Sequence, residues 1–340
     1  MASLIITGDT GATLKSRHLK LFRLSHEEDQ RSSMTVPLHD VDRVTIVGRP
    51  RIAMSVLHRL MYDGIPTSFI SYRGRWIGSL SPDNNKNAAR RIRQYELSKD
   101  QDIALRIARE LVAAKIGNSR RVLQRLAANR KQTQDDENKR TVQELSSLVM
   151  RARRTYSLEQ LRGVEGLAAG LYFSRLGCFF PDTLPFKTRS RRPPLDAANS
   201  LLSWTYTILL GEVDACIRTH GLDPCIGYLH ELSHGTPSLS VDLIEPLRAP
   251  VCDLLVLNMV NHGQFTAEDF EFHSEDGGTY LCKSAHKKFF TSYEASMMRR
   301  FKLEKEGIQY DFRRIIDHQV EELLRTLETD DYEPRFFHMP

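Results

Sequence analysis

Residues 81 to 87 read Ser-Pro-Asp-Asn-Asn-Lys-Asn, a polar, turn-rich run without an apolar anchor. The hydrophobic pattern on its two sides differs in period. Upstream, short runs rich in Ile, Leu, Val and Thr (4–7, 19–24, 44–47 and 68–71) are separated by Gly, Pro, Asp and Asn, which is the text of strands and turns. One helical interruption carries Ile52, Val56, Leu57 and Leu60 on one face and is expected to pack on the sheet. Downstream, Ile103, Ile107, Leu111 and Ala114 recur at helical spacing, followed by Val122, Leu123 and Leu126. The expected fold is therefore α+β in two domains: a small N-terminal β-rich domain (1–80), a linker (81–89), and a larger all-α domain (90–340).

Several segments of the second domain carry further expectations. Arg90, Arg91, Arg93, Arg106, Arg109, Lys115, Arg120, Arg121 and Arg125 form either a solvated helix face or a track for a phosphate backbone. The run TQDDENKR (133–140) reads as an exposed connection. Lys187, Arg189, Arg191 and Arg192 are concentrated in a loop ended by Pro193 and Pro194, a second anion-binding candidate, and Asp196 and Asn199 are placed to cap the helix that follows. The C-terminal ETDDYEPRFFHMP (328–340) is expected to be disordered.

With 340 residues, 41% hydrophobic and 27% charged, the chain has the composition of a globular protein with a real core. A net charge of +5 permits a polyanionic partner without requiring one. The five cysteines form no CxxC pair and are odd in number, which argues against a disulfide framework or zinc knuckle and for a reducing compartment. No stretch approaches the ~18 apolar residues of a membrane span, so the expected location is the cytoplasm.

The residue types that carry chemistry converge on 221–253. His230 precedes a turn at Gly235 and Pro237, and then come Asp242 and Glu245, three apart and on one face if the backbone is helical. Imidazole nitrogen and carboxylate oxygens suit Mg²⁺ or Mn²⁺, and Arg248 lies one helical step further. The plainer reading is a loop histidine followed by a helix with solvated acids. Upstream, Glu165 falls on the apolar stripe Leu158, Leu161, Ala168 and Tyr172, where a carboxylate needs a metal or a cationic partner such as Arg162 or a distant arginine. Its neighbours Gly163, Gly166 and Gly170 would let another backbone approach closely.

A competing motif overlaps the same stretch. His230, Glu231 and His234 spell HExxH, the pattern of zinc metallopeptidases. Its helix would be hemmed by Pro224 and Gly227 before it and Gly235 and Pro237 after it, and would end at its second ligand.

Six blocks together resemble the CRISPR-associated integrase and endonuclease family, Cas1. They are Val36-Pro-Leu-His-Asp-Val41; Lys115-Ile-Gly-Asn118; Gly163-Val-Glu-Gly-Leu-Ala-Ala169; Arg191-Arg-Pro-Pro-Leu-Asp-Ala-Ala-Asn199; Gly221-Leu-Asp-Pro-Cys-Ile-Gly-Tyr-Leu-His230; and Ser238-Leu-Ser-Val-Asp-Leu-Ile-Glu-Pro-Leu-Arg248. Two departures are Ser119, where the family often has Gln, and the HELSH coincidence. The resemblance implies a dimerising N-terminal β domain, a catalytic helical domain, and Mg²⁺ or Mn²⁺ held by Glu165, His230 and Glu245, with Asp242 as accessory acid. It implies a DNA contact from Arg248, and the basic loop read above from its own residues, Lys187, Arg189, Arg191 and Arg192, is expected to bind phosphates beside it. The implied function is insertion of short foreign DNA into a CRISPR array by 3′-hydroxyl transesterification, in antiviral defence. The implied partners are double-stranded DNA (prespacer and repeat), a second copy of the chain, and the small protein Cas2. Two readings of other classes are the HExxH zinc metallopeptidase and a non-catalytic DNA-binding scaffold.

Overall fold

The computed structural model describes residues 2–24, 33–80, 87–129, 136–230, 235–302, 309–329 and 332–340. The chain divides into two compact units, Met1–Lys86 and Asn87–Pro340.

The first unit is built from two sheets and a helix. Strands β1 (Ala2–Ile6), β5 (Val41–Val47), β7 (Thr67–Ile70) and β8 (Trp76–Leu80) form one sheet in the order β1-β5-β7-β8. Its first three strands run parallel and β8 is antiparallel. Strands β2 (Thr10–Lys15), β3 (His18–Arg23), β4 (Ser33–Pro37) and β6 (Arg51–Ile52) form the other, in the order β4-β3-β2-β6. Helix α1 (Met54–Tyr62) buries Val56 and Leu60, two of the positions its spacing singled out. These join Ile6, Leu19, Val44 and Ile46 in one core drawn from both sheets. Alternation sets the register: in β3, Leu19 and Leu21 point inward between exposed His18 and Lys20.

The second unit is mostly helical. Helix α2 (Ala88–Lys99) leads into α3 (Gln101–Asn129), whose 29 residues present apolar positions over most of their circumference. A helix with buried residues on most of its faces belongs at the centre, and α3 packs against α4 (Asp136–Arg153), α5 (Leu158–Gly177) and α7 (Ser238–Leu247). Helix α6 (Ala197–Thr219) is buried along most of its length and packs on α7 and on α8 (Leu254–Asn261). Strands β9 (Phe270–His273) and β10 (Gly278–Leu281) pair as a ribbon before α9 (His286–Met297). Strands β11 (Phe301–Lys302) and β12 (Gln309–Tyr310) pair before α10 (Phe312–Glu328). The expected all-α domain thus carries two short ribbons, each too small to register as a period-two pattern.

Three local expectations give way to the structure. Residues 136–140 of the supposed connection are the first turns of α4, with Asn138 buried against the Arg175 guanidinium. Among the described residues, nothing lies within 4 Å of where a Cβ would stand on Gly163, Gly166 or Gly170, so no other described backbone approaches them closely. The C-terminal residues 332–340 are docked: Phe336 and Phe337 are buried, and Asn118 Nδ2 donates to the Phe337 carbonyl while its Oδ1 accepts from Met339 N–H. Two adjacent aromatic side chains supply enough apolar area to hold a short tail, which the acidic residues before them obscured in the sequence.

Candidate metal centre

The site is assembled from four segments: α3, α5, the loop ending at His230, and α7. Lys115 of α3 reaches between two carboxylates. Its Nζ lies 2.5 Å from Glu165 Oε1 on α5 and 2.7 Å from Glu245 Oε2 on α7. The first contact is an aligned hydrogen bond; the second is a charge contact in which Glu245 Oε2 has no aligned donor, though it is buried. Arg248 Nη2 approaches the other oxygen, Glu245 Oε1, at 3.1 Å. Glu165 therefore has a cationic partner, but it is Lys115 rather than an arginine; Arg162 instead donates to the Leu229 carbonyl and braces the loop before His230.

Helix α7 explains why Glu245 and Asp242 do different work although both are buried. Asp242 is fully buried and accepts the backbone N–H groups of Tyr228, Leu229 and His230. It also accepts from His230 Nδ1 at 2.6 Å. Because a carboxylate oxygen only accepts, Nδ1 carries the ring proton and Nε2 is left with its lone pair. Asp242 is thus a positioning residue, not a solvent-facing acid. Gly227 makes this possible, since a Cβ there would lie 2.7 Å from Asp242 Oδ2 and 2.8 Å from the Ser238 carbonyl carbon. Pro246 breaks the regular bonding of α7, and its carbonyl accepts from Asn118 Nδ2 at 2.7 Å. The chain then runs through a π-helical segment, Arg248–Asp253, that presents Arg248.

The charges are mutually adjusted. Burial alone would raise Glu245, but Arg248, Lys115 and His230 outweigh it and hold the carboxyl down to about 2. Burial alone would lower His230; the Asp242 hydrogen bond and the charges of Asp242, Glu245 and Glu165 outweigh it and raise the imidazole. Behind Arg248, burial pushes Asp253 up to about 6 despite hydrogen bonds from Tyr206 and Tyr172. The Tyr206 ring carries two guanidinium groups, Arg248 at 5.0 Å and Arg189 at 5.2 Å.

The basic loop divides. Lys187, Arg191 and Arg192 are exposed, and Arg191 lines the same small cavity of ≈ 30 Å³ as Lys115, Glu165 and Glu245. Arg189 turns inward and donates to Asn199 Oδ1 and Ser203 Oγ, so its charge is spent on the fold and burial lowers its pKa. Asp196 caps α6 by accepting from Asn199 N–H, as expected. Several arginines of 90–125 are likewise engaged internally: Arg90 with Glu328, Arg93 with the Leu327 carbonyl, Arg109 with the Thr155 carbonyl, and Arg121 with the Pro340 carbonyl. A larger cavity of ≈ 790 Å³ lies elsewhere, with no Asp or Glu among the described residues that line it. Glu231 and His234 of the HExxH motif lie outside the described residues.

Sequence reasoning named Glu165, His230, Asp242, Glu245, Arg248 and Arg191, and the structure brings these together. It missed Lys115 as their shared counter-ion, and Tyr206 and Asp253 as the support of Arg248. Asp253 left one signal: a lone acid amid Val251, Cys252, Leu254 and Leu255 needs polar partners.

Do these residues suit a divalent cation? One ammonium is already shared by two carboxylates from different helices, a buried oxygen of Glu245 has no aligned donor, and the imidazole oriented by Asp242 is near enough for its charge to act on Glu245. That donor set, two carboxylates and one nitrogen, fits Mg²⁺ or Mn²⁺.

The chain as a whole is similar to known proteins. The family model described as CRISPR associated protein Cas1 matches residues 5–295. A curated relative, the CRISPR-associated endonuclease Cas1 3 of Thermus thermophilus, is 33% identical over 300 residues, covering 88% of this chain and 86% of the relative. Among solved structures, a casposase bound to integration product superimposes with a TM-score of 0.86 at 21% identity, covering 100% of this chain and 95% of the casposase. A chain of a Cas6-RT-Cas1–Cas2 complex gives a TM-score of 0.81 at 24% identity, covering 100% of this chain and 36% of that one. With a family match across most of its length and a relative at one-third identity, the chain belongs to the CRISPR-associated Cas1 family of endonucleases.

Proposed function

We propose that the chain is a divalent-metal-dependent DNA integrase and endonuclease that joins the 3′-hydroxyl of a short double-stranded fragment to the edge of a CRISPR repeat. The observation that carries this reading is the pair of carboxylates, Glu165 and Glu245, sharing one cation beside an imidazole whose other nitrogen is locked by Asp242. Glu165, His230 and Glu245 would hold Mg²⁺ or Mn²⁺. When bound, the ion supplies Lewis acidity to a phosphodiester and charge for the displaced oxygen.

The chain's own residues do the rest. Asp242 fixes the ring and tautomer of His230 through four accepted hydrogen bonds. Arg248, backed by Tyr206 and facing Glu245, holds positive charge where phosphate charge builds up. Arg191 and Arg192 orient the strand by its phosphates, with Lys187 beyond them. No side-chain nucleophile is required: the fragment's 3′-oxygen forms one phosphodiester as the repeat strand's own 3′-oxygen leaves, so bonds made and broken balance. Water in place of that hydroxyl gives strand cleavage.

The partners in this reading are double-stranded prespacer and repeat DNA, a second copy of the chain through the N-terminal β unit, and Cas2, with the cytoplasm as the site of action; the likeness to a Cas6-RT-Cas1–Cas2 complex supports Cas2 among them. Among the described residues no helix is long and apolar enough to cross a membrane.

The test is strand transfer of a labelled fragment into repeat DNA with Mn²⁺, comparing 3′-hydroxyl with 3′-deoxy ends. Product is expected from the hydroxyl end alone, and Glu165→Ala, His230→Ala or Glu245→Ala should each abolish it while duplex binding persists. Wild-type activity in any of the three removes that residue from the site. Transfer-inactive wild type that still binds DNA would favour the scaffold reading, and zinc-dependent peptide cleavage lost in His234→Ala would favour the peptidase.

A further inference from the structure

Where α6 ends against α10, three side chains of different metal-binding types converge. Cys216, on the last turn of α6, and His220, the residue capping its C-terminal end, are four apart and lie on the same side, and Asp317 meets them from the second turn of α10. One ligand atom from each lies within 4.8 Å of the other two. Asp317 Oδ1 is the focus, 2.7 Å from His220 Nε2 and 3.7 Å from Cys216 Sγ.

We infer that this trio is a second metal site, of the zinc class, distinct from the carboxylate-rich centre. Bonds of about 2.0–2.3 Å to a tetrahedral ion put ligand atoms roughly 3.3–3.8 Å apart. The sulfur–oxygen separation of 3.7 Å already meets that spacing, and the imidazole and carboxylate need to part by well under 1 Å from their present 2.7 Å. The chemistry of the donors selects the ion: thiolate and imidazole favour Zn²⁺, Co²⁺ or Cu⁺ and disfavour Mg²⁺ and Mn²⁺. Access is open, since the Asp317 side chain is 55% exposed and that of His220 21%. Arg90, whose Nη1 donates to the His220 carbonyl, is itself paired with Glu328, so its charge is partly offset beside the site. On binding, the Cys216 thiol proton leaves to solvent and the His220 ring proton, held on Nε2 by Asp317, moves to Nδ1; the thiolate, Nε2 and the carboxylate then each give one bond to the ion, and water completes the shell. The ion clips the C-terminal end of α6 to α10. The other reading of the trio is a plain His220–Asp317 ion pair with the thiol alongside.

The experiment titrates Co²⁺ into the metal-stripped full-length chain in excess Mg²⁺, which saturates any oxygen-rich site. A thiolate-to-cobalt charge-transfer band is expected to saturate at one equivalent and to be displaced by Zn²⁺. Cys216→Ser should abolish the band, and Asp317→Asn or His220→Ala should weaken binding at least as much as the roughly 10–100-fold that loss of a supporting outer-shell partner costs. Far-UV circular dichroism checks that each variant is folded, and the exposed Asp317→Asn keeps the test open should a helix-core variant misfold. No thiolate band at one equivalent, or a band that survives Cys216→Ser, overturns the site. Since no DNA is present, the outcome is independent of the integrase reading.

Discussion

Replacing Lys115 by Met removes the cation that two carboxylates share while keeping the length and apolar body of the side chain. The Lys115 side chain is 16% exposed, that of Glu165 17% and that of Glu245 2%, so the cluster is substantially withdrawn from water. Removing one partner of a buried ion pair costs about 3–5 kcal/mol, because the remaining charge stays desolvated. Two features pull the figure to the lower end: Arg248 still faces Glu245 at 3.1 Å, and Glu165 retains some water. Lys115→Met should therefore lose about 3 kcal/mol in urea denaturation with EDTA present. Mn²⁺ replaces the missing charge, and at about 100 times its Kd it returns roughly 2.7 kcal/mol. In the wild type the ion must first displace the ammonium, so calorimetry should show Mn²⁺ binding to Lys115→Met more tightly, by up to about 100-fold for a 3 kcal/mol difference. If the variant matches the wild type in EDTA and binds Mn²⁺ no better, Lys115 is not the counter-ion that a metal replaces.

Three further outcomes can be checked. Asp253, at about 6 in the fold against an ordinary 3.8, binds its proton more tightly when folded. Its contribution is therefore fully present below pH 4 and lost as pH rises towards 6, a loss of about 3 kcal/mol that Asp253→Asn should remove from the stability-versus-pH curve; equal slopes in the two proteins would refute the buried charge. Asn118→Ala orphans the Pro246 carbonyl, the Phe337 carbonyl and the Met339 N–H. It should cost about 2–4 kcal/mol and expose the C-terminal tail to limited proteolysis, whereas unchanged cleavage would mean the tail is held by its aromatic residues alone. Arg191→Ala/Arg192→Ala should weaken duplex binding and reduce the slope of log K against log salt by up to about 1.8, and an unchanged slope would detach the loop from DNA.

The sequence made the two-unit organisation legible because the hydrophobic period changes across a polar break, and alternation or helical spacing reports buried faces directly. It made half the site legible because Asp242, Glu245 and Arg248 sit at helical spacing on one segment. Which helix faces meet was not legible. Lys115 looked like one more charge in a basic run, since 50 residues separate it from Glu165 and period says nothing about partners across elements. Arg189 and Arg191 are two apart in one loop, yet one turns into the fold and the other lines the cleft; only the positions of Asn199, Ser203 and Tyr206 decide between them. Asp242 and Glu245 both read as candidate ligands, and they separate only once the backbone N–H groups of Tyr228, Leu229 and His230 are seen to saturate Asp242.

Anomalous diffraction from crystals of the full chain soaked in Mn²⁺ locates the ion without reliance on activity. A peak is expected bonded to carboxylate oxygens of Glu165 and Glu245 and to His230 Nε2, with the Lys115 ammonium moved off both carboxylates and Asp242 still bonded to Nδ1. Lys115 holding its place with Mn²⁺ bound elsewhere, or Mn²⁺ coordinated without Glu165, His230 or Glu245, would contradict the assignment of this cluster as the metal centre of the reaction.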